Sequence, residues 1–527
     1  MRNIEASLQQ DEGPLDAAQS YASKPRFTII VDARRSTLDA LIRSIRSIEQ
    51  QVYGNWIILV VGNEGSLTAS AISGLTNVPS LARALDHCEG DFIVPLMGGD
   101  QLSKWSLFYF AQALQSQPAA TILYGDEDEV DERGARRRPW FKPRWNKELF
   151  LARDYLSRAC AINAASVRAV AAAVGESIGD SWVFDLLLHV IAATESLVVH
   201  VPRIVAHVQN VDAQADQRAR IQAVARHVGA LGASASAGPF ESVKVSWPLP
   251  TPPPLVSVIV PTKDKLELLR PCVESVLKRT RYQAFELIVV DNDSVEPRTR
   301  RYLDDLAGSG QVRVLSYPRP YNYSAINNHA VRNATGSFVC LLNNDTEVIE
   351  PDWLCEMMRY AVRTEIGAVG AKLLYGDGTI QHAGVIVGIG GAAGHAHRNL
   401  SAADVGYFGH AHLPQFVSAV TGACLLVDKR KFLAVGGLDE EFLPIAYNDV
   451  DLCLKLELAG LRNVYVPHAV LVHHESKSRP NDHAPSRIES YRRELEAFQD
   501  RWGAKNYMDP LFNPNLDRSS ETFLIQL

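Results

Sequence analysis

Residues 336–347 read Gly-Ser-Phe-Val-Cys-Leu-Leu-Asn-Asn-Asp-Thr-Glu, an apolar run that stops abruptly at two amides and a carboxylate. An unbroken apolar run of this length suits a strand covered on both faces of a parallel sheet, and ligands of open α/β sheets bind just past such strand ends. Upstream the pattern recurs. Leu255–Val260 runs into Pro261-Thr262-Lys263-Asp264, a helical stretch follows near Leu266–Leu277, and Phe285–Val290 runs into Asp291-Asn292-Asp293-Ser294. Val312–Tyr317 and Ala368–Leu374 add further apolar runs. Together they predict an α/β unit with a parallel sheet over residues 255–480. Asp and Asn are common in turns and caps, but three such clusters in order, spaced by helix-length segments, point to a phosphate and metal site.

The same plan occurs once before. Phe27–Val31, a helix near Leu41–Ile48, Trp56–Val61 and the turn Gly62–Ser66 answer the segment 255–294, and Gly90–Leu96 with Met97-Gly98-Gly99-Asp100 answers residues 336–346. A long-period repeat means duplicated units of one architecture. Laid over each other, Gly62 falls on Asp291, Gly99 on Asp345 and Val183 on Asp449, while Asp185 stays opposite Asp451. The first copy therefore reads as a degenerate unit over 23–232. A polar N-terminus (1–22), a small-residue and proline-rich linker (Ala233–Pro254) and a C-terminal helix and tail (481–527) complete the expected organisation.

Composition sets outer limits. A hydrophobic fraction of 46% with 21% charged residues is that of a soluble globular protein, and 527 residues exceed one domain. No run approaches the ~20 apolar residues of a membrane span. An N-terminus with Glu5, Asp11, Glu12 and Asp16 does not read as a signal peptide, so a cytoplasmic location is expected. Seven scattered cysteines argue against a disulfide framework. A net charge of -7 gives no footprint for nucleic acid. Arg136-Arg137-Arg138 and the acids Asp126, Glu127, Asp128 and Asp131 read as solvated loops.

Ten stretches carry a resemblance. In the second unit they are Leu255–Asp264, Leu341–Glu347 (LLNNDTE), Gln381–Gly384 (QHAG), Val420–Val427 (VTGACLLV), Gly436–Asp439 (GGLD), Tyr447–Leu454 (YNDVDLCL) and His473–Arg479 (HHESKSR). In the first they are Tyr124–Asp131 (YGDEDEVD), Phe141–Trp145 (FKPRW) and His200–Arg203 (HVPR). On these the chain resembles the family-two glycosyltransferases, above all the tandem-domain bacterial enzymes that build O-antigen and other surface polysaccharides.

The resemblance implies two tandem GT-A, Rossmann-like units and an inverting, metal-dependent transfer of a hexosyl or rhamnosyl group. The donor would be a UDP-, dTDP- or GDP-sugar, and the acceptor a growing, lipid-linked surface glycan at the inner face of the plasma membrane, reached by peripheral association. Pro261, Thr262, Asp264, Asp291, Ser294, Asn343 and Asn344 would surround the nucleotide. Asp345 would be the main carboxylate on Mn2+ or Mg2+, because Asn343 stands where the family has the first Asp of its Asp-x-Asp motif. His474, or else His473, would complete the metal shell. Asp449 would be the general base, Asp451 would orient the acceptor, and Thr421, Gly422, Gln381 and His382 would line the acceptor or sugar pocket. The plain alternative for Asp449 is a helix cap.

Two other readings compete. His395, His397, His410 and His412 form two His-x-His pairs whose spacing could bind zinc for metal-assisted hydrolysis, although their Gly/Ala-rich setting suits a mobile substrate loop. A scaffold that binds sugar nucleotides or glycans without turnover is the non-enzymatic alternative, and the Asp345, Asp449 and His474 set argues against it.

Overall fold

The computed structural model describes residues 24–62, 75–86, 88–131, 133–174, 181–193, 196–209, 213–474 and 485–526. The expected N-terminal segment 1–22, Asn63–Ser66 of the first turn, Gly179 and Asp180 ahead of the Val183 helix, and Glu475–Arg479 of the histidine motif lie outside them.

Two large sheets dominate. The first contains β1 (Phe27–Asp32), β2 (Trp56–Val61), β3 (Leu75–Val78), β4 (Phe92–Met97), β5 (Gln101–Leu102), β6 (Ile122–Val130), β7 (Arg136–Trp140), β8 (Cys160–Asn163) and β9 (Val198–Val208), in the order β3-β2-β1-β4-β8-β6-β9-β5 with β7 on β6. After a hairpin of β10 (Ser234–Ala237) and β11 (Val243–Ser246), the second unit contributes β12 (Val256–Thr262), β13 (Phe285–Asp291), β14 (Val312–Ser316), β15 (Phe338–Leu342), β16 (Thr346–Val348), β17 (Ile366–Leu374), β18 (Ile380–His382), β19 (Val385–Val387), β20 (Ala393–His395), β21 (Gln415–Val417), β22 (Cys424–Asp428) and β23 (Arg462–His473). Its order is β14-β13-β12-β15-β22-β17-β23-β16. Strand for strand, with the same directions, this repeats the first sheet.

The repeat extends to single contacts. Gly90 N–H donates to Thr28 Oγ1 at 3.0 Å and Gly336 N–H to Ser257 Oγ at 2.9 Å. A Cβ at either glycine would meet backbone within 3 Å, so only glycine lets these strands start so close to their neighbours.

The expected parallel sheet is in fact mixed. β12 to β15 are parallel, but β22 runs antiparallel to both β15 and β17, and β16 runs antiparallel to β23. A strand buried on both faces is apolar throughout whichever way its neighbour runs, so direction leaves no mark in the sequence. Strand order reverses beside β12, between β13 and β15. That is where an open α/β sheet forms its ligand crevice, and the three polar clusters end there.

Two segments depart from their expected character. Ala233–Pro254, read as a linker, holds the β10–β11 hairpin, with Val243, Val245 and Trp247 buried. The period-two signal Val243-Lys244-Val245-Ser246 is short and masked by small residues. Arg363 of the second unit lies over the Trp247 ring at 4.2 Å and reaches Glu148 of the first unit at 2.8 Å.

The acidic run is no solvated loop. It forms β6, where Asp126, Glu127 and Asp128 are buried. Buried carboxylates must be paired, and the partners come from other elements: His200 and Asn513 to Asp126, Lys142 to Glu127, Arg136 and His207 to Asp128. Arg136-Arg137-Arg138 belongs to β7, its side chains paired with Asp128 and Glu129. Asn513 and Asn515 bring the C-terminal tail back onto the first unit, so YGDEDEVD and FKPRW act as docking elements. Among the described residues no helix is long and apolar enough to cross a membrane.

Candidate active site

β12 ends on Thr262, buried, whose Oγ1 accepts from Asn344 Nδ2 at 3.0 Å. Asp264 turns back toward the β13 loop, where its Oδ1 accepts from Val295 N–H and Glu296 N–H, both at 2.8 Å, and its own N–H donates to Ser294 Oγ. Asp291 closes that loop by accepting Ser294 N–H at 2.9 Å. Each carboxylate commits its Oδ1 to the loop. Ser294 links the two segments through its hydroxyl and its N–H, and Pro261 is buried within β12. Asn292, not singled out from the sequence, is fully buried and donates to the carbonyls of Tyr317 and Arg319.

Asp345 is 3% exposed, and its Oδ1 lies 3.0 Å from Nε2 of His473. His474, the expected partner, points elsewhere, with its Nε2 3.6 Å from Glu347. The reason is strand geometry: His473 closes β23 opposite Thr346 of β16, and the next residue projects to the other face.

Gln381 and Asn343 hold the His473 ring. Gln381 Oε1 can only accept, so His473 Nδ1 donates to it at 2.7 Å, while Nε2 lies 3.2 Å from Asn343 Nδ2. His473 Nε2 thus sits beside both Asn343 Nδ2 and the Asp345 carboxylate. A carboxylate beside an imidazole nitrogen is a donor pair that fits a cation, and a histidine oriented through its other nitrogen is the usual support for a metal ligand. Among the described residues no three His, Cys, Asp or Glu side chains are placed to share a metal. That donor number suits an ion completed by phosphate oxygens and water, the habit of Mg2+ with diphosphates.

On the opposite side, Asp449 opens the helix Asn448–Leu458. Its Oδ2 accepts from Gly422 N–H at 2.7 Å and its Oδ1 from Val450 N–H at 2.8 Å. The turn that holds it also holds the other cluster, because Ala423 O accepts from Asn343 N–H at 3.1 Å. Tyr323 OH, missed in the sequence, fixes the same turn by donating to Gly422 O at 2.9 Å. Thr421 and Gly422 therefore join the Asp449 side of the crevice to the Asp345 side.

Asp451 goes elsewhere. It is fully buried, with Oδ1 accepting from Arg501 Nη1 at 2.8 Å and Trp502 Nε1 at 3.0 Å, and Oδ2 2.8 Å from Lys455 Nζ. Three cationic or N–H donors from two helices leave it anchoring the C-terminal helix Pro485–Trp502 rather than facing an acceptor. His382 is buried behind His473, its Nδ1 2.9 Å from His395 Nδ1, and burial followed by the nearby His395 and His473 keeps it well below the usual histidine range.

The two His-x-His pairs do not converge. His395 meets His382, His397 stacks on Phe523 at 4.5 Å, His410 lies edge-on to Tyr407, and His412 reaches the Asp404 carbonyl. A shared zinc site is not built from them.

The first copy differs at the metal position, and register corrects the overlay there. Asp345 directly precedes Thr346, which pairs with His473; Asp100 directly precedes Gln101, which pairs with His207. Asp100, not Gly99, thus occupies the place of Asp345. The carboxylate survives, but the Arg158 guanidinium grips it through Nε at 2.6 Å and Nη2 at 2.5 Å, and Gln209 N–H adds a third bond. In the first unit a fixed guanidinium thus pairs with this carboxylate. Arg158→Ala would leave Asp100 buried without its charge partner, so we expect a loss of about 3 kcal/mol of stability in urea denaturation. Steady-state KM for the donor should not change. A shift in donor KM with unaltered stability would count against this account of the first unit.

Residues 257–385 match the family model Glycosyl transferase family 2. The chain is 37% identical to the uncharacterized protein y4gI of Sinorhizobium fredii over 95% of its own length and 58% of the relative's. It is 34% identical to the O-antigen biosynthesis protein RfbC of Myxococcus xanthus, over 95% of its own length and 41% of the relative's. The chain thus spans about half the length of these relatives. Among solved structures, a mannosyltransferase from Pyrobaculum calidifontis in complex with GDP-Man and Mn2+ aligns with 51% of this chain and 70% of its own, at 16% identity and a TM-score of 0.36. Residues 257–385, which match glycosyl transferase family 2, form the core of the second α/β unit, and the first unit repeats the strand order of that core.

Proposed function

We propose that the second unit is an inverting glycosyltransferase that moves a sugar from a nucleoside-diphosphate donor onto a growing bacterial surface glycan, carried on a lipid. The observation that carries this reading is one turn, Thr421–Ala423, holding a carboxylate on one side and the Asn343–Asp345 cluster on the other. Thr262, Asp264 and Asp291 lie on the nucleotide side. Asp449 takes the proton of the acceptor hydroxyl, that oxygen forms the new bond to the anomeric carbon from the face opposite the nucleotide, and the bond to the diphosphate oxygen breaks with its electron pair. A single displacement inverts the anomeric centre.

Asp345 and His473 would hold Mn2+ or Mg2+, which when bound supplies positive charge to the departing diphosphate. Gln381 keeps the His473 ring oriented. The similarity to an O-antigen biosynthesis protein supports a surface polysaccharide as product, and the work would take place at the cytoplasmic face of the plasma membrane. The first unit, with Arg158 on Asp100, serves as structure or as an acceptor-side surface.

A screen of UDP-, dTDP- and GDP-sugars against the full chain tests this reading, following release of free nucleoside diphosphate with and without Mn2+. One donor class should show metal-dependent release. Tight donor binding with no release, even with extracts of the lipid-linked glycan added, would instead establish a binding scaffold.

A further inference from the structure

The base-bearing helix begins from an unusual backbone. Tyr447, two residues before Asp449, has φ 58 and ψ 3, the left-handed region that bulky aromatic residues rarely occupy and that clusters at functional sites when they do. The helix Pro485–Trp502 holds it there. Glu494 Oε2, buried, accepts from Ile445 N–H at 2.8 Å and Ala446 N–H at 2.7 Å. The Tyr447 ring stacks on Phe498 at 4.9 Å and 14°, and its hydroxyl lies 2.5 Å from the Tyr491 hydroxyl.

These rings form a ladder from the core to solvent. Phe498 is fully buried, Tyr447 is half-buried, and Tyr491 is 50% exposed with its ring 5.8 Å from that of Tyr447. Ile488, one turn earlier on the same helix face, is 51% exposed. Core packing accounts for Phe498 but not for the outer members. A tyrosine fixed at its hydroxyl by a neighbour presents a ring face at little conformational cost and a polar edge beside it. A pyranose matches that surface, having an apolar C–H face and a rim of hydroxyls, and the surface adjoins the carboxylate that needs a sugar hydroxyl.

We propose that Tyr447 and Tyr491, with Ile488, form the subsite that binds the acceptor saccharide, its ring laid on Tyr491 and its hydroxyls bonded to the paired phenols. This rests on reading Asp449 as the base. Glu494 and Phe498 are positioning residues for the subsite.

Saturation-transfer NMR on the full chain tests it, with the methyl pyranosides of glucose, galactose, mannose and rhamnose as separate probes. At least one should receive saturation from the wild-type protein. Tyr491→Ala should weaken that probe roughly tenfold while circular dichroism stays unchanged, and Tyr491→Phe should fall between the two. Absence of saturation on all four probes, or equal saturation with Tyr491→Ala, overturns the proposal. So does loss of sedimentation with phosphatidylglycerol vesicles in Tyr491→Ala while glycoside binding persists, because the patch would then face a lipid surface. Asp449→Asn should keep probe binding. If Asp449→Asn also keeps full transfer activity, the catalytic reading fails while the saccharide subsite stands on its own measurement.

Discussion

Asp449→Asn is expected to slow sugar transfer by about two or more orders of magnitude, with the fold and donor binding retained. The substitution preserves size and leaves one oxygen to accept from Gly422 N–H or Val450 N–H. The other contact is lost, at a cost of about 1 kcal/mol. A hundredfold loss of rate is about 2.7 kcal/mol of barrier, so the missing hydrogen bond is too small to explain it, and proton acceptance has to. Calorimetric titration with UDP, dTDP and GDP should give the wild-type affinity, since Asp449 lies across the Thr421–Ala423 turn from the nucleotide groups. Transfer by the variant at near the wild-type rate would make Asp449 a helix cap and nothing more.

The repeated architecture and the strand-end clusters were legible because both rest on local signals: apolar runs of strand length, followed at once by Asp and Asn. Thr262 accordingly meets Asn344 at 3.0 Å, and Asp264 and Asp291 share the Ser294 loop. What escaped the sequence depends on distant partners. In the sequence Asp451 reads as an acceptor-facing group, but Arg501 and Trp502, fifty residues on, occupy it. Arg158 carries no motif, yet it decides that Asp100 meets a guanidinium. The acids of β6 read as solvated because their partners, His200, His207 and Asn513, come from strands and a tail that only tertiary structure brings close. His473 and His474 are adjacent and chemically identical, so only strand alternation separates them, and alternation identifies a face only once the pairing partner is known. The same holds for Gln381, whose amide orients a histidine rather than a sugar.

That separation of the two histidines makes the second large effect a graded one. Chelation of divalent ions should abolish transfer, with Mn2+ or Mg2+ restoring it, and Asp345→Ala should weaken nucleoside-diphosphate binding by about tenfold or more. His473→Ala should approach the same loss, because its Nε2 lies 3.0 Å from the Asp345 carboxylate. His474→Ala, which removes a ring directed at Glu347, should cost much less. Gln381→Leu separates orientation from ligation: the imidazole stays, but its Nδ1 proton loses the acceptor that holds the ring. Loss of such an outer partner costs about 10- to 100-fold in metal affinity, so excess Mn2+ should rescue Gln381→Leu while leaving Asp345→Ala impaired. Full activity of the wild-type chain in excess chelator would remove the metal from the scheme. His473 would then pair with Asp345 only as a proton-sharing couple, and the departing diphosphate would have to draw its neutralising charge from other groups of the crevice.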